Sequence, residues 1–516
     1  MICLNKLVPL LFLILLAVGC SQPDYDLLIK NGVIYDGSGV TPTEGHILVH
    51  DGIIVQAGNF DLSTLTASKT VDADGRVVSP GFVDSHSRGE PLETPRFNNF
   101  LSMGVTTITL GLVGTSPGAE DLSGWMSSVD ERGTGPNVIH FTGHSTIRDL
   151  ANTPREEDKD ALYTEAMKEQ LQGAIDAGSF GLSLGLEFEP GSFAGRDELV
   201  ELASAVADHG GILMGHVRSE DDDRIDESVT ELMEIGLESD VQTHISHLKI
   251  VFADDPQRAE DVLELIEETR QAGLRVTSDL YPYIASFTTI GLVFPDWANT
   301  QEEFDAAIET RRDELAEYLR NRIEQRNGPE ATLFGTEPWI GMTLAEVAEE
   351  LNKPFEDALI EDIGPEGGSA AYFVMNENVM QRFLIDPHVM VSTDGGPEMR
   401  HPRGYGSFAK IIRKYVNELN LFPLEEAIYK MSGLPAETLG LTDENVVELQ
   451  RGLIREGFAA DLLIFDPDNI NDPANFENPH TFAEGFDWVI VNGVTVIEEG
   501  ERNNQLPSGI IQRSIR

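Results

Sequence analysis

The chain has 516 residues, 41% of them hydrophobic, enough to bury one large core and a second smaller one. Its 88 Asp and Glu against 36 Lys and Arg give a formal net charge of -52. Such a surface excludes nucleic acid as a partner, because phosphate contact needs clustered cations, and its self-repulsion is one that salt relieves.

Residues 1–20 read as an export leader. Lys6 precedes an apolar run over 7–18, too short to span a bilayer but suited to a signal-peptide core. The run ends in Leu16-Ala17-Val18-Gly19-Cys20, which resembles a bacterial lipobox. That resemblance implies lipidation of Cys20 and membrane attachment through the anchor. Ser21, rather than Asp, after the cysteine implies the outer membrane, facing the periplasm. Cys3 also lies in the leader, so the mature body has no internal disulfide and no thiolate to offer a metal.

Residues 21–80 predict the first part of a small β-domain. Residues 26–35 predict a hairpin turning at Asn31-Gly32, and strands over 45–50 and 53–57 flank Asp51-Gly52. Residues 487–494 echo the first pattern and 460–466 predict another strand, so 441–516 should complete a β-sandwich built from both chain ends. Between them, residues 81–440 alternate strands with helical stretches, the pattern of a parallel α/β fold. Strands are predicted at 83–86, 106–109, 138–142, 181–184, 212–216, 241–247, 275–280 and 389–394. Eight repeats predict a closed (β/α)₈ TIM barrel. The gap before the last strand, about 284–388, includes a helical stretch over 344–351 and predicts a lid.

Barrel enzymes build their sites at the C-terminal ends of the strands. His86 ends the first strand, and Arg88, two residues on, shares its face. His144 follows the third strand, His216 and Arg218 end the fifth, and His247 and Lys249 end the sixth. Asp394 ends the eighth and is followed by His401-Pro402-Arg403. Histidines ending three separate strands, with an Asp closing the last, form a nitrogen and oxygen donor set suited to zinc or another divalent metal. The other histidines read as structural, His244 among them because it should face away from His247.

Further motifs surround these residues. Gly81-Phe82-Val83-Asp84-Ser85-His86 resembles the first-strand motif of the amidohydrolase superfamily. Gly143-His144-Ser145, His216-Val217-Arg218-Ser219-Glu220, Ile245-Ser246-His247-Leu248-Lys249, Asp279-Leu280-Tyr281-Pro282-Tyr283, Ser392-Thr393-Asp394-Gly395 and His401-Pro402-Arg403-Gly404 follow in order. Together they resemble the N-acyl-D-amino-acid deacylases over nearly all of the mature chain. The resemblance implies amide hydrolysis of a small-molecule substrate. It implies that His216 and His247 hold the tighter metal, that Asp394 is the general base, and that Arg403 takes the substrate carboxylate. It places Lys249, Tyr283 and His144 around the pocket, and their alternative is polar packing at the barrel mouth.

Two positions depart from that family. Its first strand offers His-x-His, and here the second place holds Arg88, a permanently charged group that cannot ligate. A bridging Cys is replaced within Gly111-Leu112-Val113-Gly114 by Val113. The departures predict one zinc rather than two and leave three readings. One metal is held by His86, His216, His247 and Asp394. Arg88 binds a substrate carboxylate or the developing oxyanion, which is compatible with the first. Or catalysis is lost and the barrel is a ligand-binding lipoprotein. A cyclic-amide hydrolase of the dihydroorotase or hydantoinase type is a further alternative; Glu187 stands where those enzymes carry a carboxylated Lys. The sequence leaves association into a homo-oligomer open.

Overall fold

The computed structural model describes residues 24–118, 121–156 and 161–514. The export leader and Cys20 lie outside the described residues. Strands from both chain ends share one nine-stranded sheet. The ends meet where Val77–Pro80 pairs in parallel with Tyr25–Ile34 on one side and antiparallel with Leu462–Phe465 on the other. Alternate residues, Leu27 and Ile29, Ile47 and Val49, Leu462 and Ile464, enter one apolar core, the period-two signature of a strand with a single buried face. This is the β-sandwich domain.

Asp51-Gly52 and Asn492-Gly493 make tight hairpins, with both residues of each pair at positive φ. Asn31-Gly32 does not. Tyr25–Ile34 is one continuous strand whose register against Thr43–His50 shifts between Ile29 and Gly32. Asn31 takes φ 57° and donates its N–H to His46 Nδ1 at 3.0 Å. The same neighbouring strand continues past both sides of the pair, so the left-handed residue is absorbed as a bulge. A Cβ on Gly32 would fall 2.4 Å from Val78 Cγ2, which explains the glycine.

The eight barrel strands are Phe82–Asp84, Val105–Leu110, Asn137–His140 (continued by Thr142–Gly143), Gly181–Gly185, Ile212–His216, Gln242–Ile245, Val276–Leu280 and Val389–Val391. Consecutive strands pair in parallel. A parallel bridge between Ser87 and Gly395 joins the first strand's exit to the last and closes the ring. Helices fill the returns. Ile225–Ser239, for example, buries Val229, Leu232, Met233 and Gly236, one stripe at helical spacing.

The long segment before the last strand forms its own body. Ser286–Thr289, Thr332–Phe334 and Ser369–Tyr372 make a three-stranded antiparallel sheet. The helices Gln301–Gln325 and Leu344–Leu351 accompany it, the second started by a Thr343/Glu346 capping box. Phe294, Phe304, Leu319, Leu344 and Tyr372 give this lid a separate core.

Candidate active site

Between the C-terminal ends of the barrel strands and the lid lies a cavity of about 340 Å³. Its barrel wall includes Arg88, Val113, Glu187, His216, Glu220, His247, Lys249, Tyr281, Asp394 and Arg403, and its lid wall Ser286, Phe287 and Arg326. Two charge clusters organise it.

The first cluster gathers at and beyond the ends of the fourth, fifth and sixth strands. His216 Nδ1 and His247 Nε2 are 2.9 Å apart. Glu220 Oε1 lies 3.1 Å from His247 Nδ1 and 4.0 Å from His216 Nδ1. Lys249 Nζ donates to Glu220 at 2.5 Å and lies 2.7 Å from His247 Nδ1. Glu187 Oε2 is 3.0 Å from His216 Nε2. Burial opposes ionisation of Glu220, yet Lys249 and the two histidines outweigh it and hold the carboxyl below its ordinary range. Burial, aided by Lys249, lowers His247 to about 4, so this ring is neutral at pH 7 and has a lone pair to give. His216, Glu220 and His247 each present a ligand atom within 4.8 Å of the others.

The second cluster closes the barrel seam. Asp394 Oδ1 accepts from Arg88 Nε at 2.9 Å, and Arg403 Nη2 is 2.9 Å from Asp394 Oδ2. Burial opposes the charge on Asp394, but Arg403 and Arg88 hold its carboxyl well below the usual range. His86 Nε2 is 3.5 Å from Asp394 Oδ1, and both ring nitrogens of His86 are buried without a hydrogen-bond partner among the described residues. A buried imidazole in that state keeps a nitrogen lone pair that no hydrogen bond among the described residues occupies. His401 accepts the Arg403 N–H at Nδ1 and donates from Nε2 to Ala285 O, which locks its tautomer and sets the loop that carries Arg403.

Backbone strain marks the same place. Val113, His247 and Asp394 have φ of 55°, 38° and 44°, a region that residues other than glycine seldom adopt. Asp394 is held there by its N–H to His86 O at 2.7 Å, and the His247 N–H is held by Asp279 Oδ1.

Two expected pocket residues lie elsewhere. His144 is fully buried behind the wall, 2.6 Å from Glu198, which also binds Arg148; its neighbour Ser145 faces the cavity. His144 opens the helix His144–Leu150, and the turn of that helix sends successive side chains to different sides. Tyr283 is buried under Lys410, whose Nζ is 3.6 Å from its ring centroid, and Tyr281 takes the cavity position. His244 is structural, as its sequence position implies, and its structural role supports the site. It lies 3.0 Å from Asp279 Oδ2 and so braces the carboxylate that holds the His247 backbone. Arg218 turns away to Glu231. Reading strand ends alone passes over Glu220, although it stands four residues beyond His216, and passes over Arg326 altogether.

Comparison with known proteins agrees with this geometry. A D-aminoacylase of Alcaligenes xylosoxydans xylosoxydans is 31% identical, over 96% of this chain and 99% of its own. The chain belongs to the N-acyl-D-amino-acid deacylase family. An N-acyl-D-aspartate deacylase from the same organism is also 31% identical, over 92% of this chain and 93% of its own. The Amidohydrolase family model matches residues 348–497. The solved N-acyl-D-glutamate deacylase of Bordetella bronchiseptica, complexed with zinc and a phosphonate mimic of the tetrahedral intermediate, superposes with a TM-score of 0.80. It is 28% identical, and the match covers 95% of this deacylase-family chain and 99% of the other. An L-hydantoinase of Arthrobacter aurescens, 17% identical with a TM-score of 0.54, shares the fold alone. The family is that of amidohydrolases, and the cyclic-amide alternative gains nothing beyond the shared barrel.

Proposed function

We propose that this protein hydrolyses the amide bond of N-acyl-D-amino acids with the help of one divalent ion, zinc by preference. The observation that carries the reading is the convergence in one cavity wall of His216, His247, Glu220 and an arginine-clamped Asp394, with His86 buried against Asp394 and free of hydrogen bonds among the described residues. The donors fit the ion: two imidazoles and a carboxylate suit zinc, and His86 adds a buried nitrogen without other employment. When bound there, the ion would acidify a water molecule and polarise the substrate carbonyl.

The chain's own groups do the rest. Arg403 receives the substrate carboxylate, to which a guanidinium offers a planar pair of donors. As that carboxylate arrives it competes with Asp394 for the arginine, and Asp394 regains basicity. Asp394 then takes the water's proton at a carboxylate oxygen and passes it to the leaving amide nitrogen. Arg88, whose guanidinium stands where a second ion would need a ligand, keeps the site to one ion and offers a donor to the oxyanion. Lys249 and Glu220 hold His247 in place. We also propose that the mature protein is exported and tethered through a lipid on Cys20, supported by the Leu16-Ala17-Val18-Gly19-Cys20 stretch. Metabolic labelling with palmitate should mark the full chain, and labelling that persists in Cys20→Ala would overturn this.

The test of function pairs metal content with turnover. After reconstitution with zinc, mass spectrometry should find about one ion per chain, reduced in His247→Ala, and N-acetyl-D-amino acids should be hydrolysed while the L-isomers are spared. No bound ion together with no turnover would sink the reading and leave a ligand-binding barrel.

A further inference from the structure

Every acid in the cavity wall already has a cation or imidazole beside it. Asp394 is held by Arg88 and Arg403, Glu220 by Lys249, and Asp221 by Arg322. Glu187 faces His216 and Glu189 faces Arg155. Among the cations of that wall, Arg326 stands apart. It is 2% exposed, yet its guanidinium makes no ion pair and no hydrogen bond among the described residues, and its Nε is buried without a partner. Only aromatic faces touch it: its guanidinium carbon is 4.8 Å from the Tyr372 ring centroid and 5.5 Å from that of Phe252, while Asp221 and Glu187, each committed to another partner, act on it from beyond ion-pair distance.

A guanidinium cannot shed its proton to escape burial. A buried charge without a counter-ion is among the costlier features a fold can carry. Arg326 caps the C-terminus of Gln301–Gln325, so it is brought to the cavity by the lid, whereas Arg88 and Arg403 arrive from the barrel. The cavity therefore has one cationic group on the barrel side for the substrate's α-carboxylate and an unclaimed one opposite.

We infer that Arg326 binds a second carboxylate on the substrate, so that the enzyme prefers dicarboxylic acyl-amino acids. This rests on the function proposed above and narrows its substrate class. The second carboxylate belongs either to the amino-acid side chain or to the acyl group. The similar relatives include deacylases named for D-glutamate and for D-aspartate and one named simply D-aminoacylase, so acidic and general substrates both occur among them, and the inference for this chain rests on the unpaired arginine.

The test compares kcat/KM of the zinc-loaded protein for N-acetyl-D-glutamate, N-acetyl-D-aspartate, N-succinyl-D-leucine and N-acetyl-D-leucine. A preference of about tenfold or more for a dicarboxylate over N-acetyl-D-leucine is expected, and the preferred compound identifies which end of the substrate meets Arg326. Arg326→Met should cut kcat/KM for that dicarboxylate about 100-fold, with a loss for N-acetyl-D-leucine at least about tenfold smaller. Arg326→Lys should recover part of the difference. The melting temperature of Arg326→Met should be unchanged or higher, since an unpaired buried charge has been removed. No preference in the parent protein, or equal losses on all substrates with a lowered melting temperature, overturns the inference. If none of the compounds is hydrolysed, the proposed function fails and calorimetry decides this point separately. N-acetyl-D-glutamate or N-succinyl-D-leucine binding about tenfold tighter than N-acetyl-D-leucine, with the difference lost in Arg326→Met, supports it; equal binding or none overturns it.

Discussion

Asp394→Asn should lower kcat by roughly 10³-fold or more, the scale of removing a positioned general base together with its charge. The amide is isosteric but keeps one acceptor oxygen, so only one of Arg88 and Arg403, which meet separate oxygens of Asp394 at 2.9 Å, retains its acceptor. The backbone bridge between Ser87 and Gly395 still joins the first and last strands, and the melting temperature of the variant reports the loss of the second contact. What the amide lacks is a lone-pair-bearing anion that takes a proton. Zinc content separates the two roles open to this residue. If Asp394 serves as base, the variant keeps its ion while turnover vanishes; if it is chiefly a ligand, the ion leaves as well. Single-turnover kinetics with metal analysis on the same sample reads both, and a kcat within about tenfold of the parent would remove Asp394 from the chemistry.

Glu220→Gln should have the largest effect on stability in the site. The carboxylate is 2.5 Å from Lys249 Nζ and 3.1 Å from His247 Nδ1, all three groups being buried. Neutralising it strands a buried ammonium, and breaking a buried pair from one side costs about 3–5 kcal/mol. Metal affinity should fall about 10- to 100-fold or more in parallel, because the donor set loses its carboxylate and His247 loses the group that orients its ring. The double variant Glu220→Gln with Lys249→Met discriminates between these effects. It should regain much of the stability, since no charge is left unpaired, but none of the metal affinity. Denaturant unfolding and zinc competition titration measure the two quantities. A single variant that loses less than about 1 kcal/mol would show that Glu220 is not the hub the geometry makes it.

How much of this was legible without coordinates depends on the range of the interaction concerned. The eight barrel strands, the helix over Leu344–Leu351 and two of the three Gly-containing turns follow from local signals, apolar runs and turn chemistry. The third, Asn31-Gly32, failed because the same local chemistry serves a hairpin or a bulge, and only the neighbouring strand Thr43–His50 selects between them. The histidines at strand ends were equally legible, since chain direction alone delivers them to one rim of a barrel. That Arg88 cannot ligate was settled by its chemistry.

The partners of these groups were not legible, because they come from segments far apart in the chain. Arg88 meets Asp394 across 306 positions. Tyr281 displaces Tyr283 from the cavity because the chain leaves the strand at Leu280 and its alternation ends there. His144 turns inward because Glu198 and Arg148 need it. Arg326 is ordinary in sequence, one arginine at the end of a charged helix. Tertiary packing buries it against Tyr372 and Phe252, leaves it without an ion-pair partner in contact and sets it in the cavity wall. Local periodicity thus determined the barrel and the kind of chemistry at its mouth. The tertiary structure decided which charges are satisfied there and which one waits for a ligand, because pairing across hundreds of residues depends on distances that no sequence spacing encodes.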